Sequence, residues 1–371
     1  MKHLDEFRDS RLAHQLIDQI RGRSSRRWVL MDVCGGQTHS LVRNGIEQTL
    51  LDTVELIHGP GCPVCVTPVE VIDFAVTLSQ QPKTIVASFG DMLRVPGSRS
   101  SLMDSRSQGG RVQIVYSPVD AVELARKNPD SEIVFLGVGF ETTAPATAIA
   151  VLQASRHGVE NFTVVPAHVR VQPAMEAIMQ ADDNRVQGFM AAGHVCAVTG
   201  FDSYESFVNQ YQVPVVVTGF EPVDLLQGIL ECVDCLESSE ARVVNRYGRN
   251  VTRRGNQTAQ QIIDKIYEPA DRNWRGFGVI AVGGLSLRQK WSQFDACQRF
   301  ANLIPTDVQE DAECHGADVM SGKIKPKQCP AFGTRCTPQS PLGAPMVSSE
   351  GACAAYYRFE PVQITASGTS P

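Results

Sequence analysis

The sequence predicts an α/β fold with mostly parallel sheets, and three features carry that prediction. Short apolar runs recur along the chain, each closed by glycine, serine or proline. Stretches of helical periodicity separate several of them, the pattern of strand, turn and helix repeated. Beyond Ile304 the pattern stops, and four cysteines appear among prolines and glycines with almost no strand signal.

In chain order, Leu4, Phe7, Leu12, Leu16, Ile17 and Ile20 fall at helical spacing between charges, so residues 4–22 read as an amphipathic helix ending near Gly22. Residues 27–33 then form a buried strand that runs into Cys34-Gly35-Gly36, and the apolar run 54–57 leads into Gly59. The same grammar recurs at 84–89 into Gly90-Asp91, 112–116 into Ser117-Pro118, and 132–136 into Gly137-Val138-Gly139-Phe140-Glu141. It returns at 188–192 into Gly193-His194, 213–217 into Thr218-Gly219-Phe220-Glu221, and 278–282 into Gly283-Gly284. Helices are expected over 118–127, 143–157, 172–180 and 222–236. The pattern breaks near 128–131 and again over the polar stretch 237–257. In parallel sheets the loops at the carboxyl ends of the strands build the binding crevice. Cys34, Asp91, Glu141, His194 and Glu221 all follow a strand and are placed to converge there.

The chain has 371 residues, room for two or three domains, and its 43% hydrophobic and 20% charged composition is that of a soluble globular protein. With 40 acids against 34 bases (net −6) there is no basic excess for nucleic acid as a main partner. No apolar stretch reaches bilayer length, and the charged N-terminus lacks a signal-peptide core, so a cytoplasmic location without membrane contact is expected. In a reducing compartment an odd set of 11 cysteines points to metal binding or thiol chemistry rather than a disulfide framework.

Gly59-Pro60-Gly61-Cys62-Pro63-Val64-Cys65 fixes two thiols in a rigid loop, the form of a pair that cycles between dithiol and disulfide; half of a zinc site is the other reading. Cys34, between a strand and two glycines, suits a thiolate ligand or nucleophile, or a buried structural cysteine. Cys314, Cys329, Cys336 and Cys353, with 14, 6 and 16 residues between successive members, suit a [4Fe–4S] cluster or a tetrahedral zinc, and the spacing alone does not choose. Lys323, Lys325, Lys327 and Arg335 either offset thiolate charge there or form a solvated basic loop. His39 and His58 read as hydrogen-bonded structural histidines, while His168 and His194 abut strand ends and are better candidates for the crevice. Residues 137–143 lack the third glycine and the lysine of phosphate-binding loops, so Thr142 or Thr143 reads as a helix cap. Glu141 and Glu221 remain candidates for holding or protonating a ligand. Cys232 and Cys235 sit one turn apart on a helix face, and Cys196 and Cys297 read as core.

Together these stretches closely resemble the HypD family, the iron–sulfur factor in maturation of [NiFe]-hydrogenases. The resemblance runs nearly end to end through Cys34 to His39, Gly59 to Cys65, Phe89 to Gly97, Gly139 to Thr143, Gly193 to Val195, Gly219 to Pro222, Cys329-Pro330 and Ser348 to Cys353. It implies two Rossmann-like α/β domains facing a cleft and a loop- and helix-rich C-terminal iron–sulfur domain, with boundaries placed at 1–130, 131–240 and 241–371. It further implies a [4Fe–4S] cluster on Cys314, Cys329, Cys336 and Cys353. Partnership with HypC and with the cyanide-donating HypE is implied too, around an iron that becomes the Fe(CN)2CO unit delivered to the hydrogenase large subunit. On this pattern Cys34 helps hold that iron, Cys62 and Cys65 are the redox pair, and Glu141, His194 and Glu221 line the cleft. Where some relatives carry histidine this chain has Gln37, and Cys232/Cys235 stand outside the family pattern. A stand-alone cluster-dependent disulfide reductase is the rival reading, and a structural zinc scaffold is a third. No independent turnover reaction follows from the residues.

Overall fold

Two parallel sheets organise the chain, and they are interleaved in sequence. The computed structural model describes residues 5–359; Leu4 of the expected first helix lies outside them. Sheet A holds β1 (Trp28–Asp32), β2 (Val54–His58), β7 (Gly188–Ala192), β8 (Val215–Thr218) and β9 (Val243–Asn245) in the order β2-β1-β7-β8-β9. Sheet B holds β3 (Thr84–Ser88), β4 (Val112–Ile114), β5 (Glu132–Gly139) and β6 (Phe162–His168) in the order β4-β3-β5-β6. Every pairing within both sheets is parallel, which bears out the α/β prediction and suits Rossmann-like units. β6, β7 and β8 are buried along their whole length, which is why their sequences are apolar runs rather than alternations.

The expected boundaries do not follow the sheets. A cut at 130/131 falls between β4 and β5, which belong to one sheet, and a cut at 240/241 severs β9 from its neighbour β8. Sheet membership is decided by long-range register, to which a break in local pattern is blind. The chain leaves sheet A after β2, builds the whole of sheet B, and returns after β6 to place β7 beside β1. The outward crossing begins at Gly59–Cys65, so the paired thiols sit where the chain passes from one sheet to the other. One apolar cluster spans this junction and includes Cys34, Cys62 and Cys65 with Phe140, Val169, Val171 and Phe189.

The helices that matter for the site flank sheet A. α1 (Ser10–Arg23) starts at Ser10 because the Asp9 carboxylate accepts the backbone N–H groups of Arg11 and Leu12. α2 (Gly35–Arg43) follows β1, α3 (Gly193–Thr199) follows β7, and α4 (Pro222–Glu237) follows β8. Cys232 and Cys235 are buried on α4, as the helix-face reading expects. An antiparallel hairpin, β10 (Tyr267–Trp274) and β11 (Gly278–Leu287), packs on sheet B, with Tyr267, Leu285 and Leu287 in its core. Among the described residues no strand follows Leu287, and the last described element is α5 (Ala352–Phe359), after a series of short helical turns. No helix among them is long and apolar enough to cross a membrane.

Candidate functional site

Cys34 stands at the carboxyl edge of β1, as the residue before α2, and is 2% exposed. Two glycines bring other segments onto it. A Cβ at Gly61 would lie 2.2 to 2.4 Å from the Val33 and Cys34 backbone, and one at Gly35 would meet Glu350 at 2.4 Å. Only glycine permits both approaches. The Gly35 N–H donates to the Gly61 carbonyl at 2.9 Å, so the loop carrying Cys62 and the start of α2 are stitched together.

Burial pushes the Cys34 thiol far above its usual range, and Glu350 and Asp32 add to this against the N–H groups of Gln37 and Gly36. The Cys34 Sγ lies 3.7 and 3.9 Å from Nδ1 and Nε2 of His194, the second residue of α3. Although His194 reaches solvent, loss of hydration pulls its imidazole down to about 4. The ring of Phe220 packs edge-on against it, centroids 5.2 Å apart. A protonated thiol therefore faces a neutral imidazole. When a cation binds the sulfur, the thiol proton is released toward the solvent that His194 reaches.

Cys62 and Cys65 form a disulfide with Cα atoms 5.2 Å apart. Cys62 is the cap of the helical turn Pro63–Val66, accepting the Cys65 N–H on its sulfur, and Pro63 occupies the first helical position. That turn packs on Ala344–Met346, and Pro345 and Met346 line a small space bounded also by Cys314, Cys329, Cys336 and Cys353. The four C-terminal thiols thus surround one cavity, which is walled from the Cys62–Cys65 turn by a single segment. α5, which carries Cys353, packs directly on α2.

Burial raises the thiols of Cys314, Cys336 and Cys353, and the neighbouring thiols raise them further. The Leu342 N–H points at Cys336 Sγ at 3.4 Å. Four thiols around one void, with amide N–H groups aimed at sulfur, fit a [4Fe–4S] cluster, whose cysteines stand around the outside of a cube. Among the described residues no three His, Cys, Asp or Glu side chains are placed to close on one metal ion, the geometry a mononuclear zinc needs.

Three of the basic side chains of this segment are engaged away from these thiols. Lys323 pairs with Asp183, Arg335 with Glu313, and Lys325 reaches Glu47 at 2.6 Å and the Leu56 carbonyl. Lys325 belongs to a buried network that spacing gave no reason to expect. His58 Nδ1 meets Asp32 at 2.6 Å and its Nε2 meets Glu47 at 3.2 Å, while Thr38 donates to Asp32 and Tyr356 to Glu47. Burial opposes charge on His58, yet Asp32 and Glu47 outweigh it and raise the imidazole to about 9. Burial likewise opposes charge on Glu47, yet His58 and Lys325 hold its carboxyl well below the usual range. The network ties the C-terminal segment to the carboxyl edge of β1, two residues from Cys34.

Glu141 and Glu221 are engaged elsewhere than at the thiol. The Glu141 carboxyl accepts the Val171 N–H at 3.1 Å, and burial raises it to about 7. Its other oxygen is buried without a partner, with Cys196 and Tyr204 as neighbours. Glu221 receives Arg8 and borders a surface pocket with His39, Arg43 and Phe220. Asp91 acts on Glu350, whose carboxyl is raised first by burial and then by that neighbour. His168 lies inside sheet B against the Tyr267 ring rather than in the crevice. His39 bonds the Ser349 carbonyl, a structural role. Gln37 is buried, donating to the Ala191 carbonyl and the Thr218 hydroxyl. Thr143 does precede its helix, but its hydroxyl donates back to the Phe140 carbonyl instead of capping.

The HypD family model, described as "Hydrogenase formation hypA family", matches residues 11–360. The hydrogenase maturation factor HypD of Escherichia coli (strain K12) is 43% identical over 367 residues, covering 97% of this chain and 98% of that protein. That of Azotobacter vinelandii is 43% identical over 368 residues, 97% of each chain. That of Rhodobacter capsulatus is 42% identical over 370 residues, 97% of this chain and 98% of its own. With identity of this order sustained from end to end, the chain belongs to the HypD family.

Proposed function

We propose that this chain is a hydrogenase maturation factor that, with HypC, carries the iron on which the Fe(CN)2CO unit of a [NiFe]-hydrogenase is assembled. The observation that carries the reading is the Cys34–His194 contact at the carboxyl edge of sheet A. Cys34 supplies a soft thiolate suited to a low-spin iron with cyanide and carbonyl ligands. The thiol proton leaves to the solvent that His194 reaches as the iron substrate binds, and the Cys34–Gly61 packing keeps the Cys62–Cys65 turn beside the site. HypE is the expected source of cyanide and the hydrogenase large subunit the eventual recipient.

Cys314, Cys329, Cys336 and Cys353 are the residues that would hold a [4Fe–4S] cluster, which supplies one-electron transfers when bound. Reduction of the Cys62–Cys65 disulfide consumes two electrons and two protons and yields two thiols, with a one-electron protein donor as the reductant. The shared wall at Ala344–Met346 supports a short route between the two groups. Cys62 and Cys65 are 3% and 1% exposed, which counts against the rival reading of a disulfide reductase acting on outside substrates. Such an enzyme presents its sulfur to the substrate.

Infrared spectroscopy tests the reading on this chain purified anaerobically with HypC, beside a Cys34→Ala chain. Cyanide and carbonyl stretching bands are expected in the first and absent from the second. Their absence from an intact complex of the unaltered chain contradicts the scaffold role.

A further inference from the structure

The hairpin β10–β11 packs on sheet B along most of its length, but its tip reaches the thiols. Arg275 follows β10 and is only 6% exposed. Its backbone N–H donates to the Val66 carbonyl at 2.9 Å, directly after Cys65, and its guanidinium donates to the Pro96 carbonyl at 3.0 Å. The next residue, Gly276, has φ +77° and lies so close to Ala317 that a Cβ would sit 2.5 Å from that methyl. Ala317 belongs to the helical turn Gly316–Met320, which begins two residues after Cys314. Arg275 is therefore inserted between the Cys62–Cys65 turn and the Cys314 turn.

A buried cation is costly unless an opposite charge lies near. Among the described residues Arg275 has no carboxylate within 4.0 Å, unlike Lys323, Lys325 and Arg335, which each have one. Burial weakens its hold on the proton, and the foremost compensating influence is Cys314, ahead of Glu310, Asp73 and Glu70. The sulfur side and the carboxylates Glu310, Asp73 and Glu70 thus share the compensation.

We infer that Arg275 is a positioning residue for the four-thiol site, its fixed positive charge raising the midpoint potential of the group held by Cys314, Cys329, Cys336 and Cys353. This rests on the reading that those thiols hold a [4Fe–4S] cluster. Four thiolates leave such a group with net negative charge, which grows on reduction, so a nearby desolvated cation favours the reduced form. Lys323, Lys325 and Arg335 are engaged with carboxylates, whereas Arg275 acts from inside the protein.

The test is an EPR-monitored redox titration of the full cluster-loaded chain and of Arg275→Gln and Arg275→Lys. Removing the charge is expected to shift the oxidised-to-reduced ratio about tenfold toward oxidised, which is about 59 mV more negative for a one-electron couple. Lysine, which keeps the charge, is expected to restore the unaltered potential. A Gln chain with its cluster intact and its potential unmoved overturns the inference and leaves the four-thiol reading standing. If the Gln chain does not fold, Arg275→Met, which keeps much of the bulk without the charge, decides: a tenfold shift toward oxidised supports the inference, and an unmoved potential overturns it. An unaltered chain that binds no cluster overturns both the inference and the reading beneath it.

Discussion

Cys34, Cys62 and Cys65 sit at the carboxyl edge of a parallel sheet, whereas Cys314, Cys329, Cys336 and Cys353 sit in a segment that contains no strand. The first group is placed by backbone contacts: sheet register, the Gly35–Gly61 hydrogen bond, and glycines that let one segment lie on another. The second group surrounds a void, and its segment is joined to the rest by the packing of α5 on α2 and by individual side chains. Lys325 and Tyr356 meet on Glu47, Arg94 donates to the Val347 carbonyl, and Arg275 enters from the hairpin. The contrast teaches that the sheet-borne thiols are preorganised by the fold, while the C-terminal thiols depend on what fills the space between them.

The contrast can be attacked from either side, beginning where the effect is largest. Cys34→Ala should abolish hydrogenase maturation in a complementation assay, a loss of at least about a hundredfold, because on the proposed reading its sulfur holds the iron. The same change should cost only about 1 kcal/mol of stability, because the sheet rather than the thiol holds the loop. A large fall in melting temperature would show that the preorganisation runs through Cys34 itself.

Glu47→Ala removes the carboxylate shared by His58, Lys325 and Tyr356, leaving buried charge uncompensated. A loss of about 3 kcal/mol in urea unfolding is expected, with the C-terminal segment released before the sheets. A single concerted transition would mean that the two regions are not separable.

The same network gives the attachment a pH dependence. His58 is raised in the folded chain from its ordinary 6.5 to about 9, so its contribution is complete below 6.5 and is lost as pH rises through about 9. Glu47 is depressed, so its contribution is present above its ordinary 4.5 and is lost only as pH falls through its lower folded value. Stability measured by urea titration should therefore hold a plateau from about pH 5 to 6.5 and decline on the alkaline side. A His58→Gln chain should lack the alkaline decline.

The smallest expected effect is at Glu221. Its Arg8 partner is 60% exposed at the side chain, and pairs of this kind contribute about 0 to 1 kcal/mol. Glu221→Gln should move the melting temperature little; a substantial shift would make Arg8 a structural clasp on the pocket beside α2.

What the sequence made legible follows the same divide. β1, β3, β7 and β8 were readable because strands buried on both faces must be apolar runs, and the glycines after them mark where another segment approaches. α4 was readable from its periodicity, and Cys232 and Cys235 from their place on it. The interleaving of the sheets was not readable, because Asp32 and Met190, far apart in the chain, become neighbours by register alone. The His58 network was hidden for a related reason. Asp32, Glu47, Lys325 and Tyr356 come from four separate stretches, and nothing in any one of them points to the others. Lys325 looked like a counter-charge for the thiols by proximity in sequence, while Arg275, distant in sequence, carried no mark of that place.

Hydrogen exchange read by mass spectrometry, before and after chelation of iron from the anaerobically purified chain, tests the central contrast most directly. The account predicts that residues 304–359 lose protection on chelation, while β1, β2 and the Gly59–Cys65 loop exchange as before. Unchanged protection in 304–359, or loss spread equally over both regions, would contradict the claim that only the C-terminal thiols rely on their metal for order.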